Sequence, residues 1–335
     1  MYQNDDDKKM TIHDVAKNLG VSASTVSRAI SGKGRIGKET KEKILRYISD
    51  NNYYPNAVAQ SLAQARTYNL AIVLPENDNI MDMPFFHTCV YSIQDYAQAN
   101  GYDVIVIIAS NGDVRSIERL LTNHKVDGLI LTRTMEDDPA ISLLKDYGVP
   151  FVVIGVAQDG IIQVDNDNVG ACKELATVLL NKGIRRIGYL GGEMSQTVNR
   201  CRLDGVRMAY ADADIKMDED LIYTELENKN MIDRAITELL DKKVDCILCQ
   251  DDTYCADALN ALTSKNIKIP DQMRIASCHH SRMLENYPIT ITSIKFDVEE
   301  LARSACKFLL YMLDNRSVPE RTVLDYEIRL KESTK

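Results

Sequence analysis

From Leu70 onward the chain repeats one pattern: a short, almost purely apolar run rich in β-branched residues, then a longer stretch of helical period. LAIVLP (70–75), DVIVII (103–108), VDGLIL (126–131) and PFVVIG (150–155) form a first series, with helical segments at 86–99, 114–124 and 139–147 between them. RRIGYLGG (185–192), VDCILCQD (244–251) and MRIASC (273–278) form a second. Strands that read as unbroken apolar runs are covered on both faces, which is the signature of parallel sheets flanked by helices. Two such series predict an α/β body of two similar lobes, each with its own parallel sheet and right-handed crossovers. In such bodies ligands sit at the carboxyl ends of strands, here in the cleft between the lobes.

Charge separates this body from what precedes it. Residues 10–66 carry nine Lys or Arg against four acids, a local excess of +5 in a chain whose net charge is -9. A basic end on an acidic body is the electrostatic footprint of a nucleic-acid-binding module joined to a domain with other business. The eight cysteines are scattered through apolar runs and read as reduced, buried small residues. With no span long enough for a bilayer and no leader pattern, a cytoplasmic location and no membrane partner are expected. Residues 1–9, MYQNDDDKK, read as a disordered tail.

Residues 10–54 predict three short helices. Thr11 and Asp14 have the spacing of a capping box, and Ile12, Val15, Ala16 and Leu19 supply an apolar stripe that Gly20 can end. Ser22 can cap a second helix with Val26, Ala29 and Ile30 inward and Ala23, Ser24, Ser27, Arg28 and Ser31 outward; Gly32 and Gly34 break it. A third follows, with Ile44, Leu45 and Ile48 inward and Lys38, Lys41 and Lys43 outward. This is a helix-turn-helix arrangement. The second helix is nearly bare of long side chains, which lets its backbone approach the base edges in a major groove about 12 Å wide. Ala23, Ser24, Ser27 and Arg28 are the expected base-reading positions, with Arg28 able to present its fork to a guanine. Thr11, Ser22, Thr25, Lys38 and Thr40 are the expected phosphate contacts. The alternative is a small bundle whose serines are simply solvated.

NAVAQSLA (56–63) has Asn56 as a cap behind Pro55, but eight residues are too few for a stable isolated helix. It is either a plain linker or a helix formed only when something packs on it.

The stretch TIHDVAKNLGVSASTVSRAISGKGRIGKETKEKILRYISDNNYYPNAVAQSLA resembles the N-terminal signature of the lactose/galactose-repressor (LacI/GalR) family nearly throughout, and VDNDNVGACKELATVLLNKGIRRIGYLGG, DGVRMAY and TSIKFDVEELARSACKFLL continue the likeness to residue 331. The resemblance implies a homodimer that reads a pseudo-palindromic double-stranded operator. It makes 55–66 a hinge helix that enters the minor groove, with Asn56, Ala59, Leu62 and Ala63 at the contact and Leu62 as the wedge between base steps. It implies a periplasmic-binding-protein-like effector and dimerisation domain at 67–335, with one lobe of about 67–163 plus 294–320 and the other of about 164–293 plus 321–335.

For the effector, a small molecule and by this resemblance a sugar, the matching positions are Phe85, Phe86, Arg202, Asp251 and His279. Arg202 offers a fork to hydroxyls or a carboxylate, and the phenylalanines can stack on a ring's apolar face. His279 departs from the aspartate that sugar-binding members commonly carry; a neutral imidazole offers one donor and one acceptor. The style of VLPENDN, VDNDN and SCHHS is closest to maltose-regulator-like members, which makes a gluco-oligosaccharide the first expectation.

Other signals carry less. Cys246 and Cys249 have redox-motif spacing but lie in a buried run, and His279–His280 lack further ligands for a metal. The glycines at 191 and 192 lack nucleotide-loop spacing. No cofactor, metal or catalytic set is expected, and the competing reading is a cytoplasmic sugar-converting enzyme with an appended helical module.

Overall fold

The computed structural model describes residues 10–31, 34–51, 53, 66–76, 83–110, 112–135 and 137–335. Two units emerge, residues 1–67 and 68–335. The tail at 1–9, Gly32 and the segment with Asn56, Ala59, Leu62 and Ala63 lie outside the described residues.

In the first unit α1 (Ile12–Leu19) opens with a complete capping box: the Thr11 hydroxyl accepts from the Asp14 amide at 3.3 Å and the Asp14 carboxylate accepts from the Thr11 amide at 2.9 Å. Gly20 ends it in the left-handed region. In α2 (Ala23–Ser31) the Ser22 hydroxyl accepts from the Thr25 amide at 3.1 Å. Both helices pack on α3 (Lys38–Asp50) through a small core of Val15, Ala16, Val26, Ala29, Ile44 and Tyr53. Leu45, expected inward, is 41% exposed, whereas Ile44 is buried and Tyr47 and Ile48 of the same helix pack against this core.

The second unit holds two six-stranded sheets. The first is ordered β11-β5-β4-β3-β1-β2, built from β1 (Asn69–Pro75), β2 (Asp103–Ala109), β3 (Gly128–Leu131), β4 (Phe151–Ile154), β5 (Gln163–Asn166) and β11 (Arg321–Leu324), all parallel. The second is ordered β12-β10-β9-β8-β6-β7, from β6 (Ile187–Leu190), β7 (Ile222–Tyr223), β8 (Cys246–Cys249), β9 (Arg274–Ser277), β10 (Thr292–Phe296) and β12 (Tyr326–Arg329). Only β12 runs antiparallel, against β10. Helices cover both faces of each sheet. Cys89, Ile93 and Ala97 of α4 (Pro84–Ala99) and Leu301, Ala305 and Leu309 of α11 (Val298–Leu313) bury one face of the first. α5 (Arg115–Thr122) and α6 (Pro139–Tyr147) bury the other. α7 (Asn168–Asn181) with α8 (Thr197–Asp212), and α9 (Lys229–Asp241) with α10 (Asp252–Ser264), do the same for the second.

The lobe borders differ from the expected ones by a few residues. β5 and β11 belong wholly to the first sheet and β10 wholly to the second, so the chain crosses at 167, 297 and 325 rather than at 163/164, 293/294 and 320/321. Two of these crossings are set by caps: Asp167 accepts from the Gly170 amide and Asp297 from the Glu300 amide, so each strand ends where the next helix is nucleated.

Candidate functional site

The outward side of α2 is largely as bare as its composition implies. Ser24, Ser27 and Arg28 are exposed, whereas Ala23 is half-buried and packs on the core. Gly34, at φ +91°, sits beneath the Arg28 side chain: a Cβ there would lie 3.3 Å from Arg28 Cδ. The missing side chain leaves room for the Arg28 stem to lie against the turn.

Among the expected phosphate contacts, Lys38 is exposed and Thr40 half-buried at the start of α3. Ser22 is exposed and its hydroxyl lies 2.8 Å from both the Ser24 and Thr25 hydroxyls, a small polar cluster at the helix start. The Thr11 hydroxyl donates to the Asp14 carboxylate at 2.6 Å within the capping box.

In the second unit a cavity of about 530 Å³ opens at the carboxyl ends of the strands of both lobes. Phe85, Phe86, Arg202, Asp251 and His279, chosen from distant points of the sequence, all line it. Pro84 starts α4, which places Phe85 and Phe86 in its first turn with ring centroids 5.2 Å apart, edge to face. Phe85 meets the His279 ring edge-on at 6.2 Å across the cleft, and Phe296 stacks on the same imidazole at 6.0 Å.

Arg202, 9% exposed on α8, donates from Nη1 to the Gln250 carbonyl at 2.9 Å and from Nε to Asn168 Oδ1 at 3.2 Å. Asn168 in turn donates to Asp165 Oδ1 at 3.2 Å. Burial pushes the Asp165 carboxyl up to about 6. Asp251 caps α10 with one oxygen, accepting from the Thr253 and Tyr254 amides at 2.9 and 3.0 Å. Burial first, then the neighbouring Asp252 charge, raises its carboxyl.

Several lining residues were not expected from the sequence. Asp165 and Asn166 come from QVDN, a fully buried strand too polar to read as one, and Asn168 is the first residue of α7. Asp252 holds the His279 ring. Gln250 Oε1 accepts from the Gly192 amide at 2.9 Å. A Cβ on Gly192 would fall 2.5 Å from the Tyr254 hydroxyl and one on Gly191 2.8 Å from the Tyr189 ring, so the Gly-Gly pair exists for close packing at the cavity wall. Its signal was present in LGG, without the partners that explain it.

His280 points elsewhere, with Ser293 at 3.1 Å and Glu285 at 3.2 Å. Among the described residues no three His, Cys, Asp or Glu side chains gather as a metal site, and no helix is long and apolar enough to cross a membrane. Cys246 and Cys249 are fully buried in β8, and burial raises both thiols.

Residues 67–306 match the profile of periplasmic binding proteins and the sugar-binding domain of the LacI family, and residues 11–56 match that of bacterial regulatory proteins of the lacI family. The chain belongs to the LacI family: it is a DNA-binding transcriptional regulator with an N-terminal helix-turn-helix and a sugar-binding-type second domain. It is 31% identical over 268 residues to the HTH-type transcriptional regulator MalR of Streptococcus pneumoniae, covering 78% of this chain and 82% of that one. A solved complex of the regulator CelR with cellobiose superimposes with a TM-score of 0.72 at 27% identity, over 97% of this chain and 99% of that one. The lac repressor dimer bound to operator and the anti-inducer ONPF shares the fold, with a TM-score of 0.83 at 22% identity over 98% and 99%.

Proposed function

We propose that this chain is a cytoplasmic repressor that binds a pseudo-palindromic operator as a homodimer and is controlled by a neutral sugar held in the cleft. One observation carries the ligand assignment. His279 Nε2, from the second lobe, and Asn166 Oδ1, from the first, are buried at the cavity without a hydrogen-bond partner among the described residues. Buried polar atoms left in this state are costly, and a hydroxylated molecule between the lobes satisfies both. The charges lining the cavity argue for neutrality. Arg133, Arg202 and Lys229 face Asp165, Glu193, Glu227, Asp251, Asp252 and Asp257, a balance that disfavours phosphorylated or acidic sugars. Phe85 and Phe86 supply the aromatic face that sugar rings stack on. The cellobiose held by CelR and the name MalR among the relatives agree with a gluco-oligosaccharide.

At the operator, Ser24, Ser27 and Arg28 read bases, with Ala23 allowing close approach, and Ser22, Thr25, Lys38 and Thr40 meet phosphates. The hinge contact is assigned to Asn56, Ala59, Leu62 and Ala63 by the sequence resemblance alone. Closure of the lobes on ligand would alter the separation of the two hinges. A thousandfold change in operator affinity needs about 4 kcal/mol of such coupling. The reading assigns no residue a catalytic role.

The test is a thermal-shift screen of neutral mono- and oligosaccharides on the full chain, followed by operator gel shifts with the hits. A sugar at a hundred times its Kd is expected to stabilise the protein by about 2.7 kcal/mol and to change operator affinity. No response to any sugar, or stabilisation without effect on DNA, overturns the assignment.

A further inference from the structure

We infer that His280 is a proton-operated latch in the second lobe: neutral, it holds Arg329 of β12, and protonated, it holds Glu285 of the short helix Arg282–Asn286. The inference does not depend on which molecule fills the cleft. His280 follows His279 directly after β9, and its Nδ1 lies 3.1 Å from Ser293 Oγ on β10. Its Nε2 lies 3.1 Å from Arg329 Nη1 and 3.2 Å from Glu285 Oε1. One nitrogen cannot serve both, because a guanidinium only donates and an ionised carboxylate only accepts. With Nε2 unprotonated a single proton chain satisfies the site. Arg329 donates to Nε2, Nδ1–H donates to Ser293, and the Ser293 hydroxyl donates to the Ile291 carbonyl at 3.3 Å. With Nε2 protonated, Glu285 gains a charged donor, while Arg329 is repelled and left with Glu327 at 3.4 Å. The two arrangements exclude each other, which makes this histidine a switch.

His279 precedes the ring in the chain, and Lys295 stands two residues beyond Ser293 on the same face of β10, opposite Glu327 in the strand pairing. Burial holds the His280 imidazole below its ordinary value; Glu285 opposes this, and Arg329 and His279 add to it. The neutral arrangement is therefore the resting one at pH 7, and protonation sets in as pH falls below the ordinary 6.5. The next residue carries the change inward. Ser281 caps the short helix, accepting from the Met283 amide at 3.2 Å, and its hydroxyl helps to keep Asp252 ionised against the His279 ring. The latch thus reaches the cleft wall through three consecutive residues, 279–281.

NMR of the histidine-labelled full chain, followed as pH is lowered from neutrality, tests this. The His280 signal is the one of five that disappears in His280→Asn, and its midpoint is expected below 6.5. Glu285→Gln is expected to move that midpoint down by about half a pH unit, and Arg329→Gln to move it up by a similar amount. The two side chains are 57% and 25% exposed, so both variants are expected to fold, and their opposite shifts identify the signal even if His280→Asn does not fold. Hydrogen exchange along 326–330, corrected for the intrinsic effect of pH, is expected to quicken at least about threefold below the midpoint in wild type. It should not do so in Arg329→Gln, where the hold is already gone; this comparison also removes the effect of Asp165, which titrates in the same window. A ring that stays neutral throughout, midpoint shifts that are absent or of one sign, or β12 exchange indifferent to protonation overturns the latch.

Discussion

His279 Nδ1 lies 3.1 Å from Asp252 Oδ1, with both side chains 5% exposed. Burial alone would raise the Asp252 carboxyl; His279 and hydrogen bonds from Ser281 and the backbone together hold it below the usual carboxylate range. An ionised carboxylate only accepts, so Nδ1 carries a proton, and Nε2 is left buried without a partner among the described residues. On the proposed sugar reading, Asp252 is a positioning residue that would act on the ligand through His279.

Asp252→Asn is therefore expected to lower sugar affinity about tenfold or more by freeing the ring and its tautomer, at the scale known for outer-shell partners of functional histidines. Calorimetry at constant pH checks it. Unchanged affinity in a folded variant would show that the ring is held by Phe85 and Phe296 alone.

Asp165 makes stability depend on pH. Its folded value of about 6 stands above the ordinary 3.8, so the protonated form is favoured in the fold, and the benefit present below pH 4 is lost as pH rises through 6. Asp165→Asn keeps an acceptor for Asn168 and removes the charge. Its melting temperature is expected to gain on wild type between pH 4 and 6 and to keep a constant lead above pH 7. The lead corresponds to about 2–3 kcal/mol at 1.36 kcal/mol per pH unit. A gap that does not vary with pH refutes the argument.

At the operator, Arg28→Ala is expected to relax base preference, by about 1–3 kcal/mol at one position. Lys38→Ala should weaken all sequences alike and flatten the salt dependence. Gel shifts against single-base operator variants distinguish the two. Uniform losses in both variants would remove Arg28 from base reading.

Ser333 ties the C-terminal residues into the second lobe: its hydroxyl donates to the Ile275 carbonyl at 2.7 Å and accepts from the Thr292 amide at 2.9 Å, all buried. Ser333→Ala leaves both backbone groups unpaired, a cost of about 1–3 kcal/mol. Thermal melting should fall by several degrees, about 2–4 °C per kcal/mol for a unit of this size. Ligand affinity should not change, since Ser333 does not line the cavity.

Local chemistry made much of this molecule legible without coordinates. Thr11 with Asp14, Gly20 and Ser22 mark helix ends through contacts within four residues, and the apolar runs at 70–75, 103–108 and 246–249 announce buried strands by composition alone. Those signals suffice for two α/β series behind a helix-turn-helix. What remained hidden depends on residues far apart in sequence. QVDN is too polar to be recognised as a strand until β4 and β11 flank it, because the backbone pairing that makes it one comes from segments far away in the chain. Leu45 looks inward by its spacing, but the packing of three helices leaves it 41% exposed. The pairing of Asp252 with His279, and of Gly192 with Gln250 and Tyr254, likewise waits on the order of the strands. Helix and strand follow from nearest-neighbour preference and period, whereas a binding cleft is assembled by long-range packing, which alone decides which polar groups meet and which are left for a ligand.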